Sequence, residues 1–82
     1  MTFDEAMAEA PIIAILRGVR PDEIEAHAEA LHAAGVRIVE VPLNSPQPFD
    51  TLTRLVAENS TCAPVPASVA CTLSTPTTLP SV

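Results

Sequence analysis

The chain has 82 residues with ten acidic side chains, four arginines and no lysine, which gives a formal net charge of −6. A chain of this length forms one small domain at most, and its core is only marginally stable without disulfides or metals. The acidic balance excludes the basic face with which proteins hold nucleic-acid phosphates. We therefore expect no nucleic-acid partner.

The N-terminus and the two cysteines indicate where the protein works. The first residues carry acids rather than the basic stretch and long apolar run of a secretory signal or a membrane span. Cys62 and Cys71 are too few for a secreted disulfide framework, and no histidine lies near them at zinc-finger spacing. The sequence therefore predicts a cytoplasmic protein without membrane contact, in which both cysteines are incidental and no metal is bound.

The composition changes after Glu58. Up to that residue, periodic apolar positions alternate with charged ones, as in a globular domain. Residues 59–82 contain no charged side chain and four of the chain's nine prolines, among Ser, Thr, Ala and Val. This composition is typical of a disordered segment. We predict a folded segment over residues 1–58 and an unstructured C-terminal tail over residues 59–82.

A short leading helix over residues 3–9 is followed by a predicted strand and a longer helix. The β-branched apolar run at residues 11–16 favours a strand that is buried on both faces. Pro21 fits the first position of a helix, and the acids that follow it face the positive end of the helix dipole. This helix is expected to run to about Ala34, before Gly35 as a left-handed cap.

A second strand and helix are predicted after Gly35. Residues 37–43 form a β-rich run that Pro42 stops, and Ser45 can cap a helix that Pro46 opens. Four apolar residues are predicted to form the buried stripe of this helix: Phe49, Leu52, Leu55 and Val56. The order strand, helix, strand, helix with short connections is the repeating unit of a parallel α/β fold.

Two polar residues are candidates for chemistry, because reactive groups in parallel α/β proteins gather at the carboxyl ends of the strands. Glu40 lies inside the second predicted strand between two valines, and Arg17 closes the first. Glu40 either points into an enclosed site as a proton-transfer group or is an edge-strand acid paired with a neighbouring arginine. Arg17 either clamps a carboxylate or phosphate or is a solvated turn residue.

The loop after the second strand carries two further polar residues. Asn44 and Ser45 stand ahead of a predicted helix, so each can either touch a ligand or shape the turn. Capping is the favoured role for Ser45.

Four sequence features occur together at the spacing of one enzyme family: ILRG (15–18), the Pro-Asp-Glu helix start (21–23), the acid within VEVPL (39–43) and NSPQ (44–47). Over about residues 8–58 the chain resembles the beginning of the bacterial keto-deoxy-phosphogluconate and keto-deoxy-phosphogalactonate aldolases. NSPQ is more similar to the phosphogalactonate branch, since the phosphogluconate branch typically carries an arginine in place of Asn44.

The resemblance implies that the chain is the N-terminal βαβα portion of a (β/α)8 TIM barrel from a homotrimeric family. A lysine of that family forms a Schiff base with pyruvate or with the phosphorylated keto sugar acid, without a cofactor. Cleavage of the sugar acid gives pyruvate and glyceraldehyde 3-phosphate. By position, Glu40 would be the general acid and base, and Arg17 and Asn44 would bind the substrate.

The Schiff-base lysine lies beyond the point where the resemblance ends, and this chain has no lysine. We therefore expect a truncated and inactive fragment. The alternative is a small non-catalytic βαβα protein that binds a partner, such as a full-length aldolase subunit, through its exposed strand edges.

The tail can also be interpreted at the level of its codons. Read from their third base, the codons of Pro64 to Ala67 can encode Gly-Ala-Gly, as in the loop after the family's third strand. We therefore predict that residues 59–82 are the same gene read in a shifted frame.

Overall fold

The computed structural model describes residues 2–58 and 60–73. In chain order the helices and strands are α1 (Phe3–Glu9), β1 (Ile13–Ile15), α2 (Ile24–Ala33), β2 (Ile38–Pro42), α3 (Pro48–Ala57), β3 (Cys62–Val65) and β4 (Ser68–Thr72). A 3-10 turn over Pro21–Glu23 leads into α2, and Gly35 takes a positive φ of 100° just after it. The predicted order of strand, helix, strand and helix between residues 11 and 58 is confirmed.

The four strands form one mixed sheet in the order β1-β2-β4-β3. β1 and β2 are parallel and are connected through α2, so they form a βαβ unit. β4 lies antiparallel to β2, and β3 lies antiparallel to β4. The protein is therefore a small mixed α/β domain, and only its first two strands have the parallel arrangement that the sequence predicts.

The prediction of an unstructured tail is wrong for residues 60–73. This segment forms the β3–β4 hairpin, whose strand β4 pairs with β2 over its whole length. The pairing continues past the strand, where the Leu73 amide donates to the Arg37 carbonyl at 2.8 Å. Composition favoured disorder because it takes no account of strand pairing, whereas all five residues of β4 pair with β2 and three of them, Ser68, Cys71 and Thr72, are buried there. Residues 74–82 of the predicted tail lie outside the described residues.

The cysteines are not incidental. Cys62 and Cys71 form a disulfide between β3 and β4, with their Cα atoms 4.0 Å apart. They lie directly opposite each other in the hairpin, at a pair that the ladder does not hydrogen-bond, where antiparallel strands approach most closely. The sequence did not indicate this bond because only the hairpin register brings the two side chains together.

The core lies between the sheet and the helices α2 and α3. It consists of Val19, Ile24, Val39, Val41, Leu55, Cys71 and Leu73, which are all at least nine-tenths buried. Strand alternation explains why Val39 and Val41 are both buried: they flank Glu40 in β2 and therefore point to the same side of the sheet. The hairpin therefore contributes two of these buried side chains and shares one core with the rest of the domain.

Two expectations about burial are wrong. β1 is an edge strand with Ile13 46% and Ile15 58% exposed, so it is not buried on both faces. In α3, Leu55 is buried and Leu52 packs against the core, but Phe49 is 70% and Val56 56% exposed. A helix presents only one side to a sheet, and here that side is centred on Leu55 rather than on the whole apolar stripe.

α1 packs against β2 and is capped at its beginning by reciprocal hydrogen bonds. The Thr2 hydroxyl accepts from the Glu5 amide at 3.1 Å, and the Thr2 amide donates to the Glu5 carboxylate at 2.7 Å. The bond from the Thr2 amide, together with a contact of the Thr2 hydroxyl with the Glu5 carboxylate, lowers the pKa of Glu5 below its ordinary value. At the far end of α1, the Arg37 guanidinium donates to Glu9 at 2.7 Å.

This cap predicts a pH dependence for α1. Because the folded pKa of Glu5 is depressed, its stabilising contribution is complete above the ordinary value of 4.5 and is lost as the pH falls through the folded pKa. Titration of the Glu5 carboxyl by NMR should therefore give a midpoint below 4.5. Thr2→Pro removes both Thr2 donors and should raise the midpoint more than Thr2→Ala, which keeps the amide. Equal midpoints in all three proteins would contradict the cap.

Candidate functional site

The loops that follow β1 and β2 meet at the carboxyl edge of the parallel pair. The Gly18 amide, just after β1, donates to the Ser45 hydroxyl, just after β2, at 3.2 Å. Ser45 is buried at this junction. The Gly18 φ of 81° lies in the left-handed region, where glycine is tolerated without strain. The bond holds the two loops side by side, as expected for neighbouring parallel strands.

This contact replaces the capping role that the sequence favours for Ser45. α3 begins at Pro48, two residues after the predicted start at Pro46. Its N-cap is Gln47, which has a left-handed φ of 45° and makes no side-chain capping bond. Ser45 therefore shapes the loop by joining it to Gly18, a partner 27 residues away that no local pattern reveals.

Glu40 projects from the sheet face opposite the core. Val39 and Val41 are fully buried against the helices, so strand alternation directs the Glu40 side chain to the other side. On that side its register neighbours are Ile15 of β1 and Ala70 of β4. We call the surface formed by Ile13, Ile15, Glu40 and Ala70 the open face. Glu40 is half-buried there, with a small residue on one flank and an isoleucine on the other.

The structural alternative for Glu40 was an edge-strand acid paired with an arginine. β2 is an interior strand of the sheet. Within residues 2–58 and 60–73, the ion pairs use all the arginines except Arg17, and none of them involves Glu40. The Glu40 carboxylate thus has no charged partner in the described part of the chain, although its backbone carbonyl accepts from the Leu16 amide at 2.9 Å.

Arg17 and Asn44 lie in the two joined loops, next to Gly18 and Ser45, and both are exposed. The register places them beyond the strand ends that carry Ile15 and Pro42. In the part of the chain that the structure describes, no hydrogen bond or ion pair joins any two of Arg17, Glu40 and Asn44. The fold therefore places Arg17 and Asn44 at one edge of the sheet, with Glu40 two residues before the end of β2, but does not assemble the three into a contacting cluster.

A polar cleft at the same edge went unnoticed in the sequence. It lies between the 3-10 turn and α3, has a volume of about 620 Å³, and is lined by charged residues that include Arg20, Asp22, Asp50 and Arg54. The Arg20 guanidinium lies 3.7–3.8 Å from the carboxylates of Asp22 and Glu23. These acids follow Arg20 by two and three residues, so the sequence alone indicates that they are neighbours. Arg54 pairs with Glu25 of α2 at 3.2 Å, which only the packing of α2 on α3 reveals.

Several kinds of chemistry are limited by the residues present. The chain has no lysine, so it has no side-chain amine for a Schiff base. Both cysteines are in a disulfide and do not supply a thiolate nucleophile. In residues 2–58 and 60–73, His, Cys, Asp and Glu side chains do not form a group of three that could hold a metal. Over the same residues, no helix is both long and apolar enough to cross a membrane.

What the arrangement offers is a carboxylate on a largely apolar sheet face, near two loops with an arginine and an amide. Such a carboxylate can accept or return a proton from a ligand that lies on the open face. The guanidinium can bind an anionic group of the same ligand.

Comparison with known proteins finds two relatives over part of the chain. The first, named a probable 2-dehydro-3-deoxy-6-phosphogalactonate aldolase of Rhizobium meliloti (strain 1021), is 48% identical over 48 residues, which cover 58% of this chain and 23% of the relative. The second, the 2-dehydro-3-deoxy-6-phosphogalactonate aldolase of Escherichia coli (strain K12), is 62% identical over 37 residues, which cover 45% of this chain and 18% of the relative.

No protein-family model and no solved structure matches the chain. The chain thus spans about a fifth of the length of the curated relatives that it matches, between 18% and 23%. These partial homologies support a relationship to the aldolase family, and their short coverage agrees with a fragment of such a protein.

Proposed function

We propose that this chain is the N-terminal segment of a class I aldolase that cleaves 2-dehydro-3-deoxy-6-phosphogalactonate, or the corresponding gluconate, to pyruvate and glyceraldehyde 3-phosphate. The observation that carries the proposal is the position of Glu40. Its carboxylate lies half-buried on the open face and has no charged partner in the described residues. The βαβ unit β1–α2–β2 would be the first part of a (β/α)8 barrel whose interior is the open face.

The chemistry assigns one role to each candidate residue. In the complete enzyme, a lysine outside this chain would join the substrate's keto carbon as an iminium, which accepts the electron pair when the bond between the α and β carbons breaks. Glu40 would take the hydroxyl proton that cleavage releases and would later return a proton to the pyruvate carbon. Arg17 would bind the substrate carboxylate, and Asn44 would contact the substrate from the adjoining loop.

The same chemistry makes the 82-residue chain inactive by itself. The covalent step needs an amine, and the chain contains no lysine. Glu40 then has no iminium with which to exchange a proton. The antiparallel strand β4 also occupies the edge of β2 at which a third parallel strand of a barrel would pair.

We expect the 82-residue chain to show no aldol cleavage and to trap no pyruvate on any side chain on treatment with borohydride. The readout is the intact mass after incubation with pyruvate and borohydride, because reduction of a Schiff base leaves a permanent adduct. A full-length aldolase of the family, treated in parallel, should gain the mass of one reduced pyruvate per subunit. An adduct on a side chain of the 82-residue protein would contradict the assignment.

The alternative function, a non-catalytic protein that binds a full-length aldolase subunit, is favoured by one observation. Ile13 and Ile15 at the edge of the sheet are exposed and could pack on a partner. Titration of the chain into a full-length aldolase, followed by size-exclusion chromatography, separates the two functions. Co-elution at a fixed ratio supports partner binding, and separate elution supports the fragment.

A further inference from the structure

The outer edge of β1 has backbone groups directed away from the sheet. The Leu16 amide donates to the Glu40 carbonyl at 2.9 Å, so the backbone of Leu16 faces β2. Backbone direction alternates along a strand, so Ala14 also faces β2, whereas Ile13 and Ile15 direct their N–H and C=O groups outward. Among the described residues, no strand pairs with this edge.

The opposite edge of the sheet is protected, which makes the β1 edge distinctive. The Thr72 amide donates to the Thr61 carbonyl, so alternate positions of β3 face outward, among them Pro64. Proline has no N–H and cannot extend a ladder, so it blocks the addition of a further strand at β3. β1 contains neither a proline nor a charged residue. Its side chains Ile13 and Ile15 are also exposed on the open face, beside the outward backbone groups.

We propose that the β1 edge is a self-association site, at which a second copy of this chain adds its own β1 in antiparallel orientation. A two-fold axis between the two Ala14 residues brings Ile13 of one copy opposite Ile15 of the other, and the reverse. Both residues face outward, so each of the two pairs exchanges two backbone hydrogen bonds. The result is an eight-stranded sheet in which four isoleucines pack together on one face.

The geometry points to a second copy because the edge is complementary to itself. Pro11, the next outward position before Ile13, has no N–H, so the ladder closes after the Ile13–Ile15 pairs. A two-fold contact of this kind ends at a dimer and does not build a chain of molecules. The interface is small, and each copy carries a net charge of −6, so higher ionic strength should strengthen the dimer by screening the repulsion.

Sedimentation equilibrium of the full 82-residue chain tests the association over roughly 10–500 µM, where a small interface is measurable. With increasing protein concentration, the average molecular mass should rise from that of one chain towards that of two and no further. The protein concentration at which half of the chains are dimeric should be lower at higher salt. Ile15→Lys should abolish the rise, because it replaces two of the four interface isoleucines with charged side chains. Phe49→Lys is the matched control, since it makes the same charge change at another exposed apolar residue and should dimerise like the parent.

The register has its own test in cysteine variants that keep the Cys62–Cys71 disulfide. Ile13→Cys and Ile15→Cys chains, mixed in equal amounts and oxidised, should cross-link several-fold faster than either alone. Residues directly opposite fit a disulfide, whereas diagonal ones are separated by about 7–8 Å. Four outcomes would each overturn the proposal. In sedimentation, these are a parent chain that stays monomeric, species larger than a dimer, and loss of the dimer in Phe49→Lys. In the oxidation experiment, it is equal cross-linking of the mixed and the single samples.

Discussion

On our prediction that residues 59–82 are read in a shifted frame, restoring the frame after about codon 58 is expected to yield a longer protein that cleaves the phosphorylated keto sugar acid. In that protein Glu40→Gln should lower kcat by about 10²–10⁴-fold. The reason is that the amide cannot accept the proton that carbon–carbon cleavage releases. The pyruvate produced can be followed with a coupled dehydrogenase. Glu29→Gln, at an exposed acid of α2, is the matched control and should leave kcat unchanged.

Two results would contradict this prediction. The first is an early stop codon in the restored frame or a long product without a Schiff-base lysine, since neither could be the proposed enzyme. The second is a Glu40→Gln protein that cleaves the substrate as fast as its parent, which would remove Glu40 from the proton transfer. The structure of the restored protein should differ as well. In this chain β4 pairs antiparallel with β2, and a restored frame should replace β4 with a strand parallel to β2.

Reduction of the Cys62–Cys71 disulfide should lower the free energy of unfolding by about 2–3 kcal/mol, the entropy that a loop of this length recovers in the unfolded chain. For a domain of this size, that corresponds to a fall in Tm of roughly 10–20 °C. Amide exchange should accelerate most in β3 and β4, while the amides of β1 and β2 that bond to each other keep more of their protection.

Thermal melts with and without a phosphine reductant measure this effect. The double variant Cys62→Ala and Cys71→Ala should melt at a lower temperature and should not respond to the reductant. An unchanged Tm in the parent on reduction would show that the hairpin is held by its pairing with β2 alone. Fast exchange throughout residues 60–73 in the oxidised chain would show that the segment is unstructured, as its composition indicated.

Local patterns were sufficient to predict the helices and the parallel strands. The Pro21 helix start, the Gly35 cap and the apolar runs act within a few residues, so the order of elements up to residue 57 follows from them. The position of Glu40 inside the second strand was predictable for the same reason. The aldolase roles of Glu40, Arg17 and Asn44 stay predictions that the experiments above address.

The remaining features depend on partners that are distant in the sequence. Ser45 meets Gly18 across 27 residues, and Cys62 meets Cys71 only through the hairpin register. Whether the Phe49 side chain is exposed or buried depends on which face of α3 meets the sheet. A local pattern does not include these distant partners. It therefore indicates a helix cap at Ser45, incidental thiols at the cysteines and a buried ring at Phe49.

The sequence by itself determined the order of the first elements and the absence of a lysine for a Schiff base, because propensity, capping and side-chain chemistry are local or compositional properties. Only the tertiary structure decided that residues 60–73 join the sheet and that Glu40 faces away from the core. Only the tertiary structure also showed that, within residues 2–58 and 60–73, no strand pairs with the outer edge of β1. Strand pairing is made by backbone groups that every residue carries, so which strands meet is decided by the packing of the whole chain.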